Sequence, residues 1–210
     1  SQQPEGPFPV EQQRLLSKKL MKLLTFDFNH GRLDESHHPF CGGIPQDVRL
    51  TTRYSKDEFI SSAMAVCHET GHAKYEQQLP KQWIDQPVGN SHNMSIHESQ
   101  SLLVEMQACR SIEFMQCIEP IIKAYFGNKP CYNANNLYQL YTKVEPSLIR
   151  VDADEVCYPL HVIMRYEIEQ QLFNDDITID DLPAVWNDYM QRFFNLSTEG
   201  NDKDGVMQDV

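Results

Sequence analysis

Basic residues are scarce in this chain. Its 210 residues carry 18 Lys and Arg against 30 Asp and Glu, a formal net charge of -12. The basic stripe that would displace counterions from a nucleic-acid backbone is missing, which disfavours nucleic acid as a partner. No run approaches the roughly 18 consecutive apolar residues of a membrane span, so no membrane association is expected. The opening SQQPEGPFPVEQQRLL is polar and lacks the apolar stretch of a signal peptide. Because the first residue is Ser rather than Met, processing or truncation upstream is expected. The six cysteines, at 41, 67, 109, 117, 131 and 157, form no C-x-x-C pair and no compact framework. They read as reduced thiols of a cytoplasmic protein. No repeat of 20 to 50 residues and no low-complexity segment occurs.

What remains is the composition of a folded domain, with 40 % hydrophobic and 10 % aromatic residues interspersed along the chain. After a proline-rich lead-in, Leu15, Leu16, Leu20, Leu23 and Leu24 recur at helical spacing. Asp27 to Gln46 contains Gly31, Pro39, Gly42, Gly43 and Pro45, which predicts a long structured loop. In residues 47–54, DVRLTTRY, Val48, Leu50 and Thr52 alternate with Arg49, Thr51 and Arg53, the pattern of one short strand. Ser55 is then an N-cap candidate for a helix running to about Leu79 and stopped by Pro80. Further helices are predicted over Met94 to Phe126, over Asp154 to Phe173 with an irregular start or kink at Pro159, and from about Asp180. The expected class is mainly α with one short β-element.

The chemistry concentrates in VCHETGHAKYEQ, residues 66–77, where His68, Glu69 and His72 form H-E-x-x-H. Residues four apart share a helix face, so both imidazoles can address one ion about 2 Å away. Glu69 beside them is placed to take a proton from an activated water. Eight histidines in 210 residues give roughly 0.3 chance pairs at this spacing, and requiring the Glu lowers that to roughly 0.02. Two histidines simply facing solvent is the bland alternative. A two-histidine site needs a third ligand and an open position. SIHESQS, residues 95–101, offers Glu98 or His97 on the next helix, and the two cannot face the ion equally because helix neighbours differ by about 100°.

Arg150 lies between Ile149 and Val151. It could clamp a carboxylate through paired hydrogen bonds or form a structural salt bridge to Asp152 or Asp154. Arg49 reads first as an ion-pair partner of Asp47. Asp34, His37 and His38 could form a second metal or proton-relay cluster, although histidines in such a loop more often make local hydrogen bonds. Cys67 is expected as a small core residue.

The ordered motifs HPF (38–40), DVRLT (47–51), HETGH (68–72), HESQ (97–100) and IRVDAD (149–154) resemble the pattern of the carboxypeptidase Taq family of H-E-x-x-H metallocarboxypeptidases. The resemblance covers nearly the whole chain. It implies a zincin-like, mostly helical fold around a deep cleft and release of single C-terminal residues from peptides with broad specificity. It also implies one divalent metal, zinc or cobalt, and a homodimer. By position, it puts the metal ligands on His68, His72 and Glu98, choosing Glu98 over His97, and the general base on Glu69. Arg150 becomes the anchor for the substrate's terminal carboxylate, with Arg49 at the substrate edge. Family chains are longer, and GVMQDV at 205–210 stops short of the family's closing H-W. Residues 1–210 are thus expected to be the catalytic-core portion of a larger enzyme, without its N-terminal helical part and C-terminal end. The alternatives are an inactive metal-binding fragment, an interaction module with a structural metal, and an endopeptidase or dipeptidyl carboxypeptidase of the wider helical H-E-x-x-H group.

Overall fold

A computed structural model describes residues 1–209, in two compact units, Ser1–Leu140 and the chain from Tyr141 onward. In the first unit the leucine-rich segment forms α1 (Val10–Leu23), which buries Leu16, Leu20 and Met21 and leaves Leu15 and Leu23 exposed. Segment DVRLTT forms strand β3 (Asp47–Thr52). Its alternation is realised as predicted, with Val48, Leu50 and Thr52 buried and Arg49 exposed.

The predicted loop is a correction. It holds two strands, β1 (Gly31–Glu35) and β2 (Phe40–Ile44), which flank β3 in the order β1-β3-β2. β1 runs parallel to β3, pairing Leu33 with Leu50, and β2 runs antiparallel, pairing Phe40 with Thr51. The expected single β-element is therefore three strands. Glycine and proline exclude a helix here but not edge strands, and both prolines, Pro39 and Pro45, stand just outside β2. Gly43 takes φ +111°, a conformation suited to glycine.

Helix α2 (Ile60–Gln77) packs on the sheet and on α1. Met21, Phe26, Val48, Leu50, Val66 and Ala73 form the core between them. The helix starts four residues later than the Ser55 cap implied. Ser55 Oγ accepts from the Asp57 N–H at 3.2 Å, and the Glu58 carboxylate instead accepts from the Ser61 N–H at 2.9 Å, inside the first turn. The single helix predicted from Met94 to Phe126 is two. Helix α3 (Met94–Leu102) passes into a π-helical turn, Leu103–Ala108, and breaks; α4 (Ile112–Phe126) restarts with Ser111 Oγ accepting from the Phe114 N–H at 3.2 Å. Apolar periodicity continues across such a break and hides it. A short helix, α5 (Ala134–Tyr141), follows.

The second unit is built on α6 (Cys157–Phe173) and α7 (Leu182–Phe194), with Met164, Ile168, Trp186, Met190 and Phe194 in its core. The irregular start expected near Pro159 is present. One Asp154 oxygen accepts from the N–H groups of Val156 and Cys157, both at 2.9 Å, and Pro159 falls in the first turn, where its missing N–H costs nothing. Among the described residues the fold has seven α-helices and three short strands, which is the mainly α class.

Candidate metal centre

Helix α2 puts His68 and His72 one turn apart, with ring centroids 5.0 Å apart. Both turn Nε2 toward α3. There Glu98 stands 3.7 Å from the Nε2 of His68 and 3.3 Å from that of His72. The three donor atoms lie within 4.8 Å of one another, and this is the one group of three metal-capable side chains among the described residues. Four ligands about 2 Å from a zinc ion at tetrahedral angles stand about 3.3 Å apart, so the spacing suits a small divalent cation. Two imidazoles and one carboxylate leave one position open, as in catalytic rather than structural zinc sites.

The approach of α3 depends on Gly71, inside the H-E-x-x-H. A Cβ there would lie 2.6 Å from the Ser101 Cα and 3.0 Å from the Gln100 carbonyl oxygen. Only a residue without a side chain lets the two helices come this close, and it is this closeness that brings Glu98 to the histidines.

The Nδ1 atoms face away from Glu98 and are also engaged. His68 Nδ1 lies 3.0 Å from the Glu105 carboxylate, supplied by the π-helical turn, and Arg110 donates to the other Glu105 oxygen at 2.6 Å. His72 Nδ1 lies 2.7 Å from Nδ1 of His97, whose Nε2 lies 2.7 Å from Glu76. With both Nδ1 atoms occupied, the Nε2 atoms are the ones presented toward Glu98.

These contacts set the electrostatics. Burial pulls the His68 pKa down, but the hydrogen bond to Glu105 and the charges of Glu105, Glu98 and Glu69 overrule it, and the net shift is upward. Glu69 is buried, 8 % exposed. Its loss of hydration raises its pKa against the opposing pull of His68 and His72. Burial would also raise Glu105, yet the His68 hydrogen bond and the Arg110 charge lower it. Cys41 on β2 is pushed up to about 12 by burial, with Glu69 and Glu76 adding to it.

The other sequence candidates divide. Arg49 is bound to its neighbour, donating from Nε and Nη2 to one Asp47 oxygen at 3.0 and 2.7 Å. Asp34 accepts from Arg32 at 2.7 Å, and the His38 carbonyl accepts from Ser36 and Thr51 at 2.5 and 2.9 Å. The 34–38 segment makes local hydrogen bonds, and the Thr51 bond ties the HPF and DVRLT motifs together. Cys67 is fully buried. In the second unit Arg150 donates from Nη1 to the Tyr158 hydroxyl at 2.9 Å and lies 5.7 Å from that ring's centroid. Its backbone N–H donates to Gln208 Oε1 at 3.1 Å, which links IRVDAD to GVMQDV. Arg150, Val162, Arg165, Tyr166 and Glu169 line an open concavity of about 550 Å³.

Sequence reasoning missed Glu105, Arg110 and Glu76. A signal existed for two of them. Glu105 follows Glu98 by seven residues, two turns along one face, and Glu76 follows His72 by four.

A helix-borne H-E-x-x-H joined by a glutamate from the next helix defines a zincin-type metallopeptidase core. The chain belongs to the carboxypeptidase Taq (M32) metallopeptidase family, whose sequence model matches residues 1–210. It is 40 % identical to thermostable carboxypeptidase 1 of Thermus thermophilus over 205 residues, 97 % of this chain and 40 % of that protein. It is 37 % identical to carboxypeptidase 1 of Bacillus subtilis over 208 residues, 97 % of this chain and 41 % of that one. Among solved structures, Trypanosoma cruzi metallocarboxypeptidase 1 superposes with a TM-score of 0.96 at 48 % identity, covering 100 % of this chain and 44 % of its own. The chain thus spans about 40 % of the length of the curated relatives it matches. Membership of this family implies a divalent metal. No described helix is long and apolar enough to cross a membrane.

Proposed function

We propose that the whole protein is a metal-dependent carboxypeptidase that releases single residues from the free C-termini of peptides, with broad specificity, and that residues 1–210 are the catalytic-core portion of it. The observation that carries this reading is the convergence of His68, His72 and Glu98 beside the buried Glu69. His68, His72 and Glu98 would hold the metal, with zinc the first choice and cobalt a workable substitute. When bound, the metal supplies Lewis acidity, which lowers the pKa of a water molecule and polarises the scissile carbonyl.

Glu69 takes the proton of the attacking water and returns it to the departing amine. Its burial raises its proton affinity, which suits both halves of that transfer. Arg150 recognises the terminal carboxylate, which would make the enzyme an exopeptidase. The Tyr158 hydroxyl, accepting from Nη1, helps fix the guanidinium, whose planar fork matches a carboxylate. Arg49 is assigned to the substrate edge, where it would exchange the Asp47 carboxylate for a substrate group. The six cysteines are free thiols, which supports a reducing, cytoplasmic location. The homodimer rests on the family resemblance alone.

Replacing Glu69 by Gln tests the reading. The variant of the intact protein is expected to retain its metal and lose about 10²- to 10⁴-fold in release of C-terminal residues. Unchanged turnover would refute the role of Glu69. A wild-type 210-residue chain that binds zinc but releases nothing would mark it as a preserved site needing the rest of the enzyme.

A further inference from the structure

His97 has no part in the chemistry proposed above, yet it is among the most constrained polar side chains of the site. Its side chain is 14 % exposed and that of Glu76 15 %. The ring is held on three sides, by His72 at Nδ1, by Glu76 at Nε2, and by the Tyr75 ring packed edge-on at 5.0 Å and 84°. Tyr75 is itself anchored, its hydroxyl accepting from the His92 N–H at 3.1 Å.

The 2.7 Å separation of the two Nδ1 atoms requires one proton between them. Two N–H groups would clash, and two lone pairs would repel. If His72 presents the Nε2 lone pair toward Glu98, its own proton is on Nδ1, so it donates and His97 Nδ1 accepts. The proton of His97 is then on Nε2, where the Glu76 carboxylate accepts it. Every group in the series His72 to His97 to Glu76 has one role. The arrangement differs from the other arm, where His68 meets the carboxylate of Glu105 directly and Arg110 balances the charge.

We propose that His97 is a positioning residue for the metal centre. It fixes the tautomer and ring orientation of His72 through a neutral imidazole, and Glu76 fixes His97 in turn. The proposal rests on the metal-binding reading of His68, His72 and Glu98. Outer partners of this kind typically contribute 10- to 100-fold to metal affinity.

The test uses the intact protein and three variants, His97→Leu, His97→Asn and Glu76→Gln, each checked for native helix content by circular dichroism. Zinc affinity is read by competition with a chromogenic chelator, and ligand geometry by the visible absorption of the cobalt-loaded protein. His97→Leu is expected to weaken zinc binding 10- to 100-fold and to change the cobalt spectrum. His97→Asn, whose amide oxygen can accept from His72 Nδ1, is expected to regain most of the loss. Glu76→Gln should fall between wild type and His97→Leu. Wild-type affinity and spectrum in His97→Leu would overturn the proposal, as would equal losses in the folded Leu and Asn variants. If the Leu variant does not fold, Glu76→Gln decides: wild-type affinity there overturns the proposal and weaker binding upholds it. A wild-type protein that binds neither ion would instead overturn the metal reading beneath it.

Discussion

Helices α2 and α6 are nearly equal in length, 18 and 17 residues, and each buries a histidine. Their interiors have little else in common. Helix α6 buries His161 with Cys157, Met164 and Ile168; the ring stacks on Phe194 at 4.2 Å, and Nε2 is satisfied by the Ser147 carbonyl at 3.2 Å. Helix α2 buries Glu69 and His72 beside Thr70 and Gly71, and α3 with the following π-helical turn adds Glu98 and Glu105. Burial alone therefore does not set these histidines apart. What distinguishes His68 and His72 is that one ring nitrogen of each is engaged by an outer partner while the other converges with a carboxylate.

The most damaging change to the α2 side should be Glu105→Gln. It removes the charge of a carboxylate that both His68 and Arg110 contact in a largely buried setting, and breaking a buried pair in this way costs about 3–5 kcal/mol. Urea denaturation of the metal-free protein measures it, and a loss below 1 kcal/mol would mean that the Glu105 charge is better hydrated than its burial indicates.

Gly71→Ala comes next. Overpacking against Ser101 should cost about 1–3 kcal/mol, partly offset by the better helix propensity of Ala. The informative readout is zinc affinity, which should fall as α3 is displaced with Glu98. Smaller again is His161→Leu, at about 1–2 kcal/mol for the lost bond to Ser147. This variant should leave zinc affinity unchanged, and altered affinity would erase the contrast between the two helices.

The smallest effect is in pH dependence. The raised pKa of Glu69 means that the native state keeps this proton to higher pH than the unfolded chain. Its contribution to stability is complete below the ordinary glutamate pKa and declines as pH rises through the window up to the raised value. Glu105 has the opposite sign. Its pKa is lowered, so its stabilisation is present above the ordinary value and is lost as pH falls through the lowered one. In the metal-free protein, Glu69→Gln should therefore remove a decline in thermal stability that sets in as pH rises above the ordinary glutamate pKa. A melting-temperature profile that keeps this decline in the variant would assign it to another group.

In both units, what was legible is local. The spacing of His68 and His72, the alternation from Val48 to Thr52, and the irregular start near Pro159 each depend on a few consecutive residues and on fixed helical or strand periods. The strands at 31–35 and 40–44 were not legible, since each is defined by hydrogen bonds to β3 rather than by its own composition. The break at Cys109–Ser111 escaped for a related reason. A π-helical turn changes which residues face α2 without interrupting the apolar spacing, and that turn is what carries Glu105 to His68.

By itself the sequence determined the donor pair, the adjacent Glu69, the mainly α class and a motif series specific enough to name a family. These are properties of residue type and short-range spacing. Only the tertiary structure decided that Glu98 faces both Nε2 atoms while its neighbour His97 faces an Nδ1, that Gly71 permits the helix contact, and that the two histidines have unlike outer partners. Each of these requires α2 and α3 to approach at one distance and one rotation. That geometry is set by packing between segments, and no local pattern contains it.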